Sequence, residues 1–187
     1  MKDIIENEIM QSSNVIKNSV SLSNIISQTI DEIVHCLKNK NKIILFGNGG
    51  SAADAQHIAA EFLGKFLIER QSLPAIALST NSSTITALGN DYSIETIFSR
   101  QCEALVNPGD VVIGISTSGN SKNILEGLRL SKTKGAKTIG LLGNGGGMIK
   151  DLADISLIVP SDSVPHIQET HRVIYHIICD HVEQLLQ

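Results

Sequence analysis

Ile43-Ile44-Leu45-Phe46-Gly47-Asn48-Gly49-Gly50-Ser51-Ala52 is the stretch that decides the fold. Successive side chains of a strand point to opposite faces, so four apolar residues in a row need cover on both sides. The run stops at a glycine-rich turn. A helical segment from about Ala52 to Leu67 follows it. Strand, glycine turn and helix make the first half of a βαβ unit, the building block of a parallel sheet between helices.

The same grammar continues downstream. Pro74–Leu78, Val111–Ile115, Lys137–Leu142 and Ile155–Val159 read as four further strands. Helices are expected from about Ser93 to Leu105, from about Lys122 to Lys134, and from Pro165 to about Leu186. Ser79–Tyr92 reads as a polar loop, and Asn107–Asp110 as a turn. The stretch Ile139–Gly146 echoes the first strand and its glycine turn, as one strand-to-turn solution used twice. Upstream, residues 3–39 read as helix with a break near Asn18–Ser23; Ile26, Ile30, Ile33 and Leu37 share one face. The expected fold is α/β, a three-layer α/β/α sandwich around a five-stranded parallel sheet. A single domain should span 1–187, with a helical segment 1–40 used in oligomer contacts and an α/β core 41–187.

Composition narrows the partners. Of 187 residues, 42% are hydrophobic and 18% charged, which excludes global disorder. Two Tyr, four Phe and no Trp leave few rings for stacking on bases, and a net charge of −4 gives no diffuse basic footprint. Neither nucleic acid nor a membrane is an expected partner. Three widely spaced cysteines without a CxxC fit reduced thiols, and Met1–Glu6 lacks a signal-like apolar run, so the expected compartment is the cytoplasm. Any phosphate must be bound locally, by backbone N–H groups and hydroxyls.

Two loops fit that demand. Gly47-Asn48-Gly49-Gly50-Ser51-Ala52 matches G-x-G-x-x-A. A dinucleotide site would want an acidic residue at the end of the second strand, where Ser79-Thr80 stand, so no nucleotide cofactor is expected. A plain tight turn, or an anion or sugar site at a helix N-terminus, remain as readings of this loop. Ser116-Thr117-Ser118-Gly119-Asn120-Ser121 places four hydroxyls around a glycine between strand and helix. Such a loop can surround a phosphate without a cation; the bland alternative is a serine-rich N-cap. Gly143–Gly147 carries no hydroxyl and reads as a turn.

His57 and Glu61 stand at i and i+4, about 6 Å apart on one helical face. They form a candidate metal pair or acid–base pair, against the alternative of an incidental polar face. Lys65, one turn beyond, reads as solvated. The last segment holds four of the six histidines, His166, His171, His176 and His181. His181 recurs with Ile174, Ile177, Ile178 and Leu185 and reads as a core-edge histidine. Gln168 and His176 lie eight residues apart, about 12 Å along a helix. That is wide for one metal unless long side chains, an irregular first turn or another subunit close the gap.

Taken together, Gly47–His57 with Glu61, Ala87-Leu88-Gly89-Asn90-Asp91-Tyr92, Ser116–Ser121, and Ile167-Gln168-Glu169 with His176 resemble the phosphoheptose isomerase family. The resemblance implies a flavodoxin-like SIS fold and a homotetramer with sites between subunits. It implies that Ser116, Thr117, Ser118 and Ser121 hold the phosphate of a seven-carbon sugar. Asn48, Gly49, Gly50, Ser51, Asn90, Asp91 and Gln168 would line the sugar. His57, Glu61, Gln168 and His176 would be ligands of one zinc per subunit, and Glu61 and His176 the catalytic acid–base pair. The implied reaction converts sedoheptulose 7-phosphate to D-glycero-D-manno-heptose 7-phosphate, the first step of heptose synthesis for bacterial surface polysaccharide. The alternatives are a tetrameric SIS-domain regulator that binds the replication initiator, or another sugar-phosphate isomerase or sensor. One departure stands out: Pro165-His166 occupies the place where similar proteins often have Asp-Arg.

Overall fold

The five apolar segments pair side by side, all parallel, in the order β2-β1-β3-β4-β5. The computed structural model describes Met1–Gln187. Its strands are β1 (Ile43–Gly47), β2 (Ala75–Ala77), β3 (Val111–Ser116), β4 (Lys137–Leu142) and β5 (Ile155–Ile158). Its helices are α1 (Lys2–Asn18), α2 (Ser23–Lys38), α3 (Gly50–Leu63), α4 (Ser82–Asp91), α5 (Ile97–Leu105), α6 (Lys122–Thr133), α7 (Ile149–Leu152) and α8 (Val164–Leu185).

The apolar quartet of β1 is shared between two cores. Ile43 and Leu45 face a layer made by α2, α3 and α8, where Ile33, Ile58, Phe62, Tyr175 and Ile178 are buried. Ile44 and Phe46 face α5 and α6, among Phe98, Cys102, Ile124 and Leu128. The missing alternation in the sequence is thus two-sided cover, as parallel sheets require. Chain order reverses between β1 and β3, since β2 lies on one side of β1 and β3 on the other. Loops after these two strands diverge at that point and leave a crevice at the C-terminal strand ends.

Four local features differ from the sequence expectation. The polar stretch Ser79–Tyr92 contains α4, capped by Asn81, whose side chain accepts from the Thr84 N–H at 3.0 Å. Serine, threonine, asparagine and glycine are weak helix formers, so α4 depends on Ile85 and Leu88 packing against the second core. The helix expected from Ser93 begins as a 3₁₀ turn, Ile94–Thr96, before α5. α3 ends at Leu63, short of Leu67, because Gly64 leaves the helix. A short helix, α7, follows the Gly143–Gly147 turn. The break near Asn18–Ser23 is a 3₁₀ turn, Ser19–Leu22. α1 has no buried residue, and Ile4, Ile5, Ile9 and Met10 are exposed on it.

His171 ties α8 to the end of β4. Its ring is fully buried, and its Nε2 lies 3.0 Å from the Leu142 carbonyl, which only an N–H can satisfy. Nδ1 therefore carries the lone pair and has no partner. Burial pushes this imidazole down to about 4 from an ordinary 6.5, the Leu142 bond opposing. The folded pKa lies below the unfolded one, so the stabilisation is complete above about 6.5 and is lost as pH falls toward about 4. At about 1.4 kcal/mol per unit, the loss comes to about 3 kcal/mol. Urea unfolding across this range should show wild type losing about that much more stability than His171→Gln; equal acid slopes would show that His171 is not held neutral.

Candidate active site

Two groups of polar residues stand out, one in the loop after β3 and one between α3 and α8. The first is the loop that leaves β3. Ser116 Oγ lies 3.1 Å from Ser121 Oγ and 3.4 Å from Ser118 Oγ. Ser121 occupies the N-cap of α6 but makes no side-chain cap bond; its hydroxyl turns into the loop instead. This disfavours the plain N-cap reading and leaves the first N–H groups of α6 facing the same hollow as the hydroxyls. Gly119 has φ +65°, and a Cβ there would collide with the Gly146 carbonyl. The Asn120 side chain accepts from the Met148 N–H at 3.0 Å, and the Ile149 N–H donates to the Gly119 carbonyl at 3.0 Å. The hydroxyl-free glycine turn after β4 is therefore a buttress for the hydroxyl-rich loop. Asn48, just after β1, exchanges two 2.9 Å hydrogen bonds with Asn123 in the first turn of α6, so the two loops meet across the switch point.

The second group lies where α3 runs against α8. His57 Nε2 stands 2.8 Å from Glu61 Oε1. His176 reaches the pair from α8, with ring centroids of His57 and His176 5.3 Å apart. One ligand atom each from His57, Glu61 and His176 lie within 4.8 Å of one another. The His176 ring packs on Phe66 at 5.5 Å and edge-on to Tyr175 at 4.8 Å. Burial and the neighbouring His57 hold His176 below its ordinary value against the pull of Glu61, so it is neutral at neutral pH. Two imidazoles and a carboxylate are a donor set suited to zinc, and three protein ligands leave a position open, as catalytic zinc sites do.

The remaining expected residues fall around these groups. Gln168 packs its amide onto Gly50, where a Cβ would stand 2.5 Å from Nε2. It lines a polar groove of about 330 Å³ with Gly50, Ala53, Asp54, Pro165, Glu169 and Arg172. The Gln168 amide thus sits at the first turn of α3. Gly49, with φ +53°, begins α3, and Ser51 is buried beneath the turn. Asn90 and Asp91 bond to each other at 2.9 Å at the exposed end of α4. Pro165 sits in the first turn of α8, where a missing N–H costs nothing, and His166 Nδ1 pairs with Glu169 at 3.2 Å. The unusual dipeptide thus borders the groove.

The SIS domain family pattern matches residues 9–143. Phosphoheptose isomerase of Helicobacter pylori (strain P12) is 49% identical over 183 residues, 97% of this chain and 95% of that one. The chain belongs to the phosphoheptose isomerase family. Another member, from Pelobacter propionicus, is 56% identical over 155 residues, 83% of this chain and 82% of the relative. Among solved structures, phosphoheptose isomerase from Neisseria gonorrhoeae superposes with a TM-score of 0.93 at 37% identity, covering 98% of both chains. The Francisella tularensis enzyme gives 0.94 at 39% identity over 97% of both chains. The fold is therefore the SIS α/β fold of this family.

Sequence reading passed over several residues that the fold brings to the family's crevice. Tyr175 drew no reading from the sequence; it is buried, and its hydroxyl lies 3.2 Å from His57 Nδ1 and 2.9 Å from Arg172 Nε. Burial, with Asp54 nearby, pushes this phenol up to about 12, so it remains protonated. The signal was present: a buried tyrosine nearly always needs a partner for its O–H. Asn120 and Asn123 carried no comparable signal, because their partners lie in other loops. Gly119→Ala adds a Cβ to a left-handed position with no space. It should weaken binding of inorganic phosphate at least about tenfold in calorimetry, a loss of about 1.4 kcal/mol. Unchanged affinity would remove this loop as the anion site.

Proposed function

We propose that this chain isomerises sedoheptulose 7-phosphate to D-glycero-D-manno-heptose 7-phosphate, supplying heptose for bacterial surface polysaccharide. The observation that carries the reading is a pair of complementary polar groups in a chain 49% identical to a phosphoheptose isomerase over 97% of its length. One is the hydroxyl-lined loop Ser116–Ser121, and the other is the His57–Glu61–His176 cluster. The regulator alternative gains nothing from these relatives, whose names are those of isomerases.

Ser116, Thr117, Ser118 and Ser121 hold the phosphate in this proposal, with the N–H groups that open α6. Asn48, Gly49, Gly50, Ser51, Asn90 and Asp91 line the sugar, with the Gln168 amide at the Gly50 turn. An aldose–ketose isomerisation moves a proton between C1 and C2 through an enediol, and needs a base, an oxygen acid and relief of developing negative charge. Glu61 is the base. It has two carboxylate oxygens, and only Oε1 is engaged with His57. Neutral His176 has one nitrogen with a lone pair and one with a hydrogen. It would serve either as the acid that protonates a sugar oxygen or as a zinc ligand, and the two roles compete for the ring nitrogens. His57, Glu61 and His176 would hold one zinc, which when bound polarises the carbonyl as a Lewis acid. The Gln168 amide oxygen would be the fourth donor.

The exposed apolar residues of α1, Ile4, Ile5, Ile9 and Met10, support self-association through segment 1–40, with a homotetramer as the assembly. Residues 1–187 act as one domain, since α2 packs in the same core layer as α3 and α8. No helix is long and apolar enough to cross a membrane. Three buried free cysteines suit the reducing cytoplasm, the compartment proposed.

Turnover of sedoheptulose 7-phosphate tests the reading directly; no product with or without added zinc would end it. Glu61→Gln should lower kcat by about 10²-fold or more, in the range of general acid–base contributions. Its zinc content is measured alongside, so that loss of a base is told from loss of a ligand. Near-wild-type turnover would remove Glu61 from the chemistry. Metal analysis of the purified protein should find about one zinc per chain, the stoichiometry of a single three-ligand site. Dialysis against a chelator should abolish activity that zinc restores; activity indifferent to chelation would end the zinc proposal.

A further inference from the structure

The polar groove beside Gly50 holds two charged side chains that the proposed function leaves unused. α3 and α8 run side by side in the same direction, and their contacts climb in step. Gly50 touches Gln168, Asp54 meets Arg172, and His57 meets Tyr175 and His176. Positions 50, 54, 57 and 61 fall on one face of α3, as 168, 172 and 176 do on α8. Asp54 and Arg172 therefore stand on one seam, between the Gln168 amide and the His57–Glu61–His176 cluster.

Both side chains have hydrogen-bonding capacity to spare. Asp54 is 3% exposed, yet it lines the groove. Its Oδ1 faces Arg172 Nη2 at 3.3 Å and the Tyr175 hydroxyl at 3.4 Å, while Oδ2 has no partner in the protein. Arg172 spends Nε on the Tyr175 hydroxyl at 2.9 Å and one N–H of Nη2 on Asp54. A guanidinium has five N–H groups, so three remain. The Arg172 side chain is 56% exposed and open to a ligand. A buried carboxylate oxygen without a donor is costly, and a ligand that supplies the donor removes that cost.

The charges of the groove select the kind of ligand. Arg172 is offset there by Asp54 and Glu169, so a second anion gains little. Pro165, which also lines the groove, adds no polar side chain. A hydroxyl suits what is left: it donates once and accepts, and the groove sets an acceptor beside a donor. We propose that Asp54 and Arg172 form a sugar subsite, in which Asp54 Oδ2 accepts from a hydroxyl of the bound sugar and Arg172 donates to an oxygen of the same or the adjacent hydroxyl. The pair reads hydroxyls that do not react, beside the carbons that exchange the proton. The subsite rests on the sugar-phosphate reading above; it depends neither on the reaction nor on zinc.

The probe is the seven-carbon alditol 7-phosphate, the reduced sugar, which keeps the hydroxyls and has no carbonyl to isomerise. In calorimetry, wild type should bind it at least about tenfold more tightly than inorganic phosphate, the order of one hydrogen bond to a charged group. Arg172→Gln should weaken the alditol phosphate by about tenfold or more and leave inorganic phosphate unchanged. No preference in wild type overturns the proposal. So does an unchanged affinity in the variant, or an equal loss for both ligands, which is the mark of a purely structural ion pair. A crystal structure of wild type with the alditol phosphate should place a hydroxyl against Asp54 Oδ2 and Arg172. A ligand seated elsewhere overturns the subsite even if the variant does not fold. If wild type turns over no sedoheptulose 7-phosphate while the alditol phosphate still binds through Arg172, the isomerase reading fails and the subsite stands.

Discussion

The buried pair Glu183–Arg70 fixes how α3 lies on α8, and the proposed chemistry depends on that contact. The Glu183 carboxylate accepts from the N–H groups of Phe66, Leu67 and Ile68 at 3.1, 2.7 and 2.9 Å and faces Arg70 Nε at 2.9 Å. Burial alone would raise its pKa, but these N–H groups and Arg70 outweigh it and hold the carboxyl ionised. Arg70 in turn donates to the carbonyls of Glu61 and Phe62 at 2.9 Å, the open C-terminal end of α3. One ion pair thus ends α3, fastens the chain after it to α8, and presents Phe66 to the His176 ring. Removing either partner leaves a buried charge, a loss of about 3–5 kcal/mol in comparable sites.

The fold was legible because its central constraint is local. A strand covered on both faces must be apolar throughout, and Ile43–Phe46 and Val111–Ile115 say so without any partner in view. α4 was illegible for the converse reason. Its residues are poor helix formers, and what stabilises it is the packing of Ile85 and Leu88 on a core assembled from distant segments. The site divides the same way. The serine loop and the His57–Glu61 spacing are contiguous, so they could be read. Asp54 and Tyr175 meet across 121 positions, and each has an ordinary reading alone, one as a helix-surface acid and the other as core. Gln168 shows the limit of helical arithmetic: its spacing from His176 measures distance along α8, but its actual neighbour, Gly50, lies on another helix.

A net charge of −4 sits oddly with a phosphate ligand only if binding is thought to need a basic surface. The proposed anion site is built from dipoles: hydroxyls turned inward, and the start of α6 without a side-chain cap from Ser121. Such a site does not create a wide attractive field, and its strength depends on backbone placement. That explains why a turn without polar side chains, Gly143–Gly147, is packed so tightly under Gly119. Backbone can approach backbone at that distance only where neither residue has a Cβ.

Rigidity at one end and polar reach at the other follow from the switch point. The proposed phosphate loop leaves β3, a central strand with register fixed on both sides, and is buttressed by the turn after β4. Of the proposed proton-moving groups, Glu61 stands on α3, which follows β1, the neighbouring strand, and His176 on α8. A substrate bound by its phosphate at one strand end can therefore present its other end to a helix that starts one strand away. A helix gains 1.5 Å per residue, so the eleven residues from Gly50 to Glu61 set the proposed base about 16 Å along α3 from the turn that follows β1.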